Sequence, residues 1–208
     1  MNDYTLPHAI SGDVRVRWSL DQGELGSHAV LLIQEHGTVI HTVDRAGGEY
    51  CGDGLITVRA GISLVVQTAD CVPVFFYALS GRVIGAVHAV WRGTAQNISG
   101  IMVQNLKLIN RETANLWVMI GHCIRDCHYK IGKDVADQFC DYPGALIKLK
   151  GKMYLDLVEV NRQQLIAAGV VPHAIYDAGG CTYCNPLLPS YRRDGEGCGS
   201  IYHCIILT

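Results

Sequence analysis

Three short segments carry side chains able to hold a metal ion. They are Gln34-Glu35-His36-Gly37, Thr68-Ala69-Asp70-Cys71 and Val87-His88-Ala89-Val90-Trp91-Arg92-Gly93. Imidazole nitrogen and thiolate both suit zinc. Three protein ligands would leave a fourth position for water or substrate, the pattern of catalytic rather than structural zinc. Water bound at such an ion can be acidified to a pKa of about 7. The spacing alone leaves another reading open, because single His and Cys residues on apolar strands are commonly just buried. Asp70 lies in an otherwise apolar run, and a buried carboxylate must find partners. It could orient a ligand histidine, act as a general base, or cap a turn.

Other cysteines and histidines cluster less clearly. Cys181 and Cys184 form a single CxxC, for which packing is the expected role. A redox pair or half of a second zinc site are the alternatives. His122, Cys123, Cys127 and His128 crowd one turn, where a second metal site is conceivable.

The elements that must position these groups read as short strands and a few helices. Strands are expected at Ala29 to Gln34, Thr38 to Val43, Ile62 to Gln67, Val72 to Tyr77, Val83 to Val87, Leu116 to Ile120 and Ser200 to Leu207. Gly81 suggests a tight turn joining two of them as a hairpin. Thr94 is expected to cap a helix with Ile98, Ile101, Met102, Leu106 and Ile109 at helical spacing. Val135 to Phe139 reads as a short helix. Leu155 to Ala168 reads as a longer one, stopped by Gly169. The expectation is a single mixed α/β domain over residues 1–208, with mixed sheets and flanking helices. No GxGxxG or P-loop is present.

The composition narrows the function classes. A chain of 208 residues with 49% hydrophobic content can bury a core, and its formal net charge of -2 gives no reason to expect nucleic acid or an anionic membrane as partner. The most apolar stretch, Leu64 to Leu79, is interrupted by Asp70 and is too short to cross a bilayer. The first residues, with Asp3, His8 and Asp13, lack an apolar signal core, so a cytoplasmic protein is expected. Nine cysteines, an odd number irregularly spaced, make a poor disulfide framework.

Taken in order, the motifs QEHG, TADCVPV, VHAVWRG, YLDLVEVNRQQL (Tyr154 to Leu165), CTYC and SYRRDG resemble the family called laccase-domain, multicopper polyphenol oxidase or YfiH-like. The resemblance runs from about Leu32 to the C-terminus. It implies a YfiH-like fold and a zinc-dependent purine nucleoside phosphorylase acting on adenosine, inosine, guanosine and methylthioadenosine, with adenosine deaminase activity. It also implies that His36, Cys71 and His88 are the zinc ligands, with copper as an alternative metal. Phosphate then needs cations. Arg92 sits at a strand-to-helix turn whose N–H groups favour anions, and Arg192 and Arg193 could bind phosphate bidentately unless carboxylates such as Asp194 claim them.

The chain departs from the family pattern in four places. Only 35 residues precede His36, without the T-R-x-G-G-V and S-L-N-L segments. The G-P-x-I-G-P turn reads Gly121-His122-Cys123-Ile124-Arg125-Asp126. A final G-R reads Cys198-Gly199, and Val90 replaces a glycine. Rival readings are a multicopper oxidase, a Cys71–His88 hydrolase, amide editing of cell-wall precursors, and a metal-binding protein without turnover. The nine histidines include no H-x-H pair of the kind a laccase uses.

Overall fold

The segments Val72–Ala78 and Val83–Ala89 are apolar at nearly every position. Strands of that kind are stable only when both faces are covered. The computed structural model, which describes residues 1–6, 12–80, 82–110 and 115–208, covers both. Gly81 and His8 lie outside the described residues.

In chain order the strands are β1 (Asn2–Asp3), β2 (Val14–Ser19), β3 (Ala29–Ile33), β4 (Ile40–Thr42), β5 (Glu49–Cys51), β6 (Gly54–Thr57), β7 (Ser63–Thr68), β8 (Val72–Ala78), β9 (Val83–Ala89), β10 (Leu116–Ile120), β11 (Lys130–Ile131), β12 (Leu146–Leu149), β13 (Lys152–Leu155), β14 (Ile175–Asp177) and β15 (Ile201–Leu207). The α-helices are α1 (Trp91–Ala95), α2 (Ile98–Asn110), α3 (Lys133–Ala136), α4 (Leu157–Ala167) and α5 (Tyr191–Asp194).

Two six-stranded sheets result, ordered β1-β2-β15-β7-β3-β5 and β14-β10-β8-β9-β6-β4, with a small sheet β11-β13-β12 beside them. Both large sheets mix parallel and antiparallel pairs, such as β3 parallel to β7 and β8 antiparallel to β9. The period-two alternation of β8 then sorts its side chains. Phe75 and Tyr77 enter the core between the sheets, with Val30, Leu64 and Ile205 from the opposite sheet. Val72, Val74 and Phe76 enter a second core under Ile98, Met102 and Leu106 of α2 and Val160 and Leu165 of α4. Each large apolar side chain fully buried in this way contributes roughly 1.5–3 kcal/mol. The mixed α/β class with mixed sheets and flanking helices is therefore what the chain forms.

The expected strands are present, most of them shifted at their ends by a residue or two. The expected capping role of Thr94 is not observed. Thr94 lies inside α1, buried, and its hydroxyl accepts from Asn161 Nδ2 at 3.3 Å. The chain breaks instead at Asn97, in the left-handed region (φ 64°), whose side-chain oxygen accepts from the Gly100 N–H at 3.2 Å. Asn tolerates that conformation better than most residues. The short helix expected at Val135 to Phe139 begins earlier, as α3. α4 starts on Asp156, which accepts from the Glu159 N–H, and ends at Gly169 (φ 100°). No helix among the described residues is long and apolar enough to cross a membrane.

Candidate metal centre

The three motif segments converge where sheet strands end. His36 follows β3, Cys71 sits in the bend between β7 and β8, and His88 lies near the end of β9. All three line one open cleft of about 890 Å³, together with Asp70, Arg92, Tyr129, Arg192 and Cys198. That volume suits a drug-sized ligand or a nucleoside.

The carboxylate that organises the two histidines is Asp53, fully buried at the start of β6. Its Oδ1 accepts from His88 Nδ1 at 2.8 Å and from the His36 backbone N–H at 3.1 Å. Its Oδ2 accepts from the Gly37 N–H at 2.7 Å. One side chain thus fixes the ring of His88 and the backbone of the His36 loop. Holding Nδ1 leaves Nε2 of His88 as the free nitrogen, the arrangement found where a carboxylate backs a ligand histidine. His36 itself adopts φ 63°, a conformation a non-glycine residue takes only when its surroundings enforce it. The two imidazoles stand edge to face with centroids 5.2 Å apart, and Cys71 lines the same cleft.

Two further side chains shape the loop. Gln34 bridges the gap where β3 and β7 diverge: its amide donates to Gln67 O and accepts from Gln67 N–H, both at 2.8 Å. Gly93 of α1 lies so close to the His36 loop that a Cβ there would stand 2.6 Å from Gly37 O. Val90, by contrast, sits at φ -72°, which asks nothing of a glycine.

The electrostatics push the histidines apart. Burial disfavours a charge on His88, but the Asp53 carboxylate and the Cys71 thiol outweigh it and hold its pKa up at about 9. His36 is lowered, first by burial and then by the charge on His88. Asp53 is lowered: burial opposes ionisation, and the His88 ring and the Gly37 and His36 N–H groups overcome it.

Asp70 lines the cleft without touching a histidine. Its Oδ1 accepts from Thr182 Oγ1 at 2.6 Å and its Oδ2 from the Arg192 N–H at 2.7 Å. Of the roles open to Asp70, contact with a histidine ring is made instead by Asp53. A signal for Asp53 existed in the sequence, a lone carboxylate between Gly52 and Gly54 leading into an apolar strand.

The arginines divide. Arg92 lies over the Trp91 ring at 4.4 Å, and Arg192 over Tyr129 at 5.0 Å while donating to Lys130 O at 2.7 Å. Neither forms an ion pair among the described residues, and both line the cleft. Arg193 does not line it. Its Nε and Nη2 bind Asp194 at 2.8 and 2.6 Å, and Nη1 and Nη2 donate to Thr182, Tyr183, Asn185 and Leu188 carbonyls. The Arg193 donors are thus engaged by Asp194 and these carbonyls, away from the cleft lining.

Two imidazoles and a thiol line one cleft, donor types that suit zinc, and one histidine is backed by a buried carboxylate. Among the described residues, the group whose donor atoms all lie within 4.8 Å of one another is a different one, Cys127, His128, Cys181 and Cys184, away from the cleft.

Comparison with known proteins agrees with this architecture. The chain is 40% identical over 152 residues to purine nucleoside phosphorylase YlmD of Geobacillus stearothermophilus, spanning 68% of this chain and 55% of that protein. It is 33% identical over 166 residues to the purine nucleoside phosphorylase of Aquifex aeolicus, covering 79% of this chain and 76% of the relative. Among solved structures, the Bacillus licheniformis hypothetical protein YfiH superposes with a TM-score of 0.79 at 34% identity, covering 88% of this chain and 75% of that one. YlmD of G. stearothermophilus superposes with a TM-score of 0.80 at 34% identity, over 87% and 74%. The family described as multi-copper polyphenol oxidoreductase laccase matches residues 14–208, and the chain belongs to it.

Proposed function

We propose that the protein is a zinc-dependent purine nucleoside phosphorylase whose metal is held by His36, Cys71 and His88. The observation that carries this reading is one cleft lined by those three donors and by two arginines whose guanidinium groups form no ion pair among the described residues. Relatives at 33–40% identity bear the phosphorylase name. When bound, zinc would supply Lewis acidity toward a leaving purine, or an acidified water for deamination of adenosine.

The chain's own residues supply the rest. Asp53 keeps the His88 tautomer and the His36 loop in place. Arg92 and Arg192 hold phosphate through planar guanidinium donors. Their seats on Trp91 and Tyr129 fix the direction in which they point. Tyr129 and Tyr191 offer ring faces to the base. Asp70 acts as a positioning residue, tying Thr182 and the start of α5, which carries Arg192, to the cleft floor.

The test is incubation of the metal-loaded protein with adenosine, inosine, guanosine or methylthioadenosine, with and without phosphate. Phosphate-dependent release of base and ribose 1-phosphate supports the reading. Inosine formed from adenosine identifies the deaminase activity.

One observation favours a second reading. Cys71 and His88 line the same cleft and Asp53 orients His88, the residue types of a nucleophile, base and orienter in a cysteine hydrolase. A zinc-bound thiolate resists alkylation, whereas a catalytic thiolate is trapped quickly, so the alkylation rate of Cys71 in the purified protein separates the two.

A further inference from the structure

Cysteines 181 and 184 are brought against the turn that carries Cys127 and His128. The chain bridges Cys123 to Cys181 in parallel, the Thr182 N–H donates to Cys123 O at 3.0 Å, and Arg125 clamps Asp177 through two bonds of 2.7 Å. At the junction, His128 Nδ1 lies 3.2 Å from both Cys127 Sγ and Cys184 Sγ. The two sulfurs are 3.8 Å apart. The Arg125 backbone N–H donates to Cys181 Sγ at 3.4 Å. His128 is fixed by stacking on Tyr183, centroids 4.1 Å apart and 14° from parallel.

We infer that Cys127, His128, Cys181 and Cys184 form a structural zinc site, separate from the cleft. A tetrahedral zinc with Zn–S bonds of about 2.3 Å sets S···S edges of about 3.8 Å, the separation seen here between Cys127 and Cys184. A disulfide would need about 2.05 Å between them. Four protein donors close the coordination shell, which marks a structural ion rather than a catalytic one. The Arg125 N–H is placed as the donor that commonly supports a ligand sulfur. Neighbouring His122 and Cys123, grouped with this turn by sequence, take no part: His122 Nδ1 bonds Gly179 O at 2.9 Å, and Cys123 is buried in the helix-side core. Binding releases the three thiol protons and leaves His128 neutral, so occupancy falls as pH falls. The ion would pin the two loops that carry Tyr129 and Thr182 toward the cleft.

The site is tested in reduced protein carrying Cys71→Ser and His88→Ala, which removes cleft donors without touching this cluster. One zinc per chain is expected to remain, and to be lost when Cys181→Ser and Cys184→Ser are added. Retention of that zinc after the added substitutions, or its absence before them, overturns the site. Because these counts are made without the cleft ligands, they stand whatever the cleft binds. A second measurement needs no variant. In the unsubstituted protein, zinc is expected to slow alkylation of Cys127 and Cys184 at least tenfold relative to chelator-treated protein. Equal rates, or a Cys127–Cys184 disulfide recovered from the purified protein, count against it.

Discussion

At the scale of single residues, the side chains proposed to hold the metal were legible because each sits in a recognisable motif, and the carboxylate that joins the two histidines was not read from the sequence. His36 and His88 are 52 positions apart in sequence, and nothing in that spacing reveals that one carboxylate serves both. Asp53→Asn is therefore predicted to lower metal affinity by about 10- to 100-fold with the fold retained, measured by competition with a chromophoric chelator. An unchanged affinity would remove Asp53 from the site. The arginines give a sharper contrast, since identical residue types at adjacent positions, Arg192 and Arg193, have different fates. Charge and type are visible in sequence, but which carbonyls a guanidinium meets depends on how the chain folds back. Arg92→Ala is predicted to raise KM for phosphate roughly tenfold or more, from the loss of charged hydrogen bonds, and to spare deamination. Arg193→Ala should instead lower stability with KM nearly unchanged, as read by denaturant unfolding and steady-state kinetics.

Elements were legible in proportion to their periodicity. The buried strands β8 and β9 and helix α4 follow from apolar pattern and capping. The short strands β5, β6 and β11 to β14 carry too few residues for a pattern, and pairing partners define them. Thr94 looked like a cap because a Thr before an apolar helical run commonly is one. It is drawn instead into a polar cluster in which Asn161 also accepts from Ser99 Oγ at 2.6 Å, and Asn97 takes the capping role. The glycine of α1 matters at this scale, because α1 can approach the His36 loop only where Gly93 leaves room. Gly93→Ala is predicted to destabilise by roughly 1–3 kcal/mol through overpacking and to weaken metal binding with it, since the clash falls on Gly37 O. A lowered Tm with unchanged metal affinity would mean that the His36 loop does not depend on this contact.

Across the whole molecule, the two sheets and the helices over them exist to bring distant segments to one cleft, and the cost appears as buried polar groups within the sandwich. His203, on β15, is fully buried between Tyr4 Oη at 2.8 Å and Thr68 Oγ1 at 2.9 Å. Burial, followed by the nearby His122, lowers its pKa to about 3. Its ordinary value is about 6.5, so below that pH the unfolded chain takes up a proton that the folded chain refuses. Stability from this group is therefore complete above pH 6.5 and falls as pH drops toward 3, by about 2 kcal/mol between pH 6.5 and 5. Urea unfolding at several pH values should show that slope, and His203→Gln should flatten it; equal slopes would place the acid sensitivity elsewhere.

The central claim, that His36, Cys71 and His88 carry a metal used in phosphorolysis, is tested most directly by following ribose 1-phosphate. The zinc-loaded protein and its His88→Ala variant are given inosine at matched folded concentration, with and without phosphate. The account predicts product only when phosphate is present, and its loss in the variant together with the cleft zinc. Product formed equally by both proteins, or none from the zinc-loaded protein with any purine nucleoside, would contradict it.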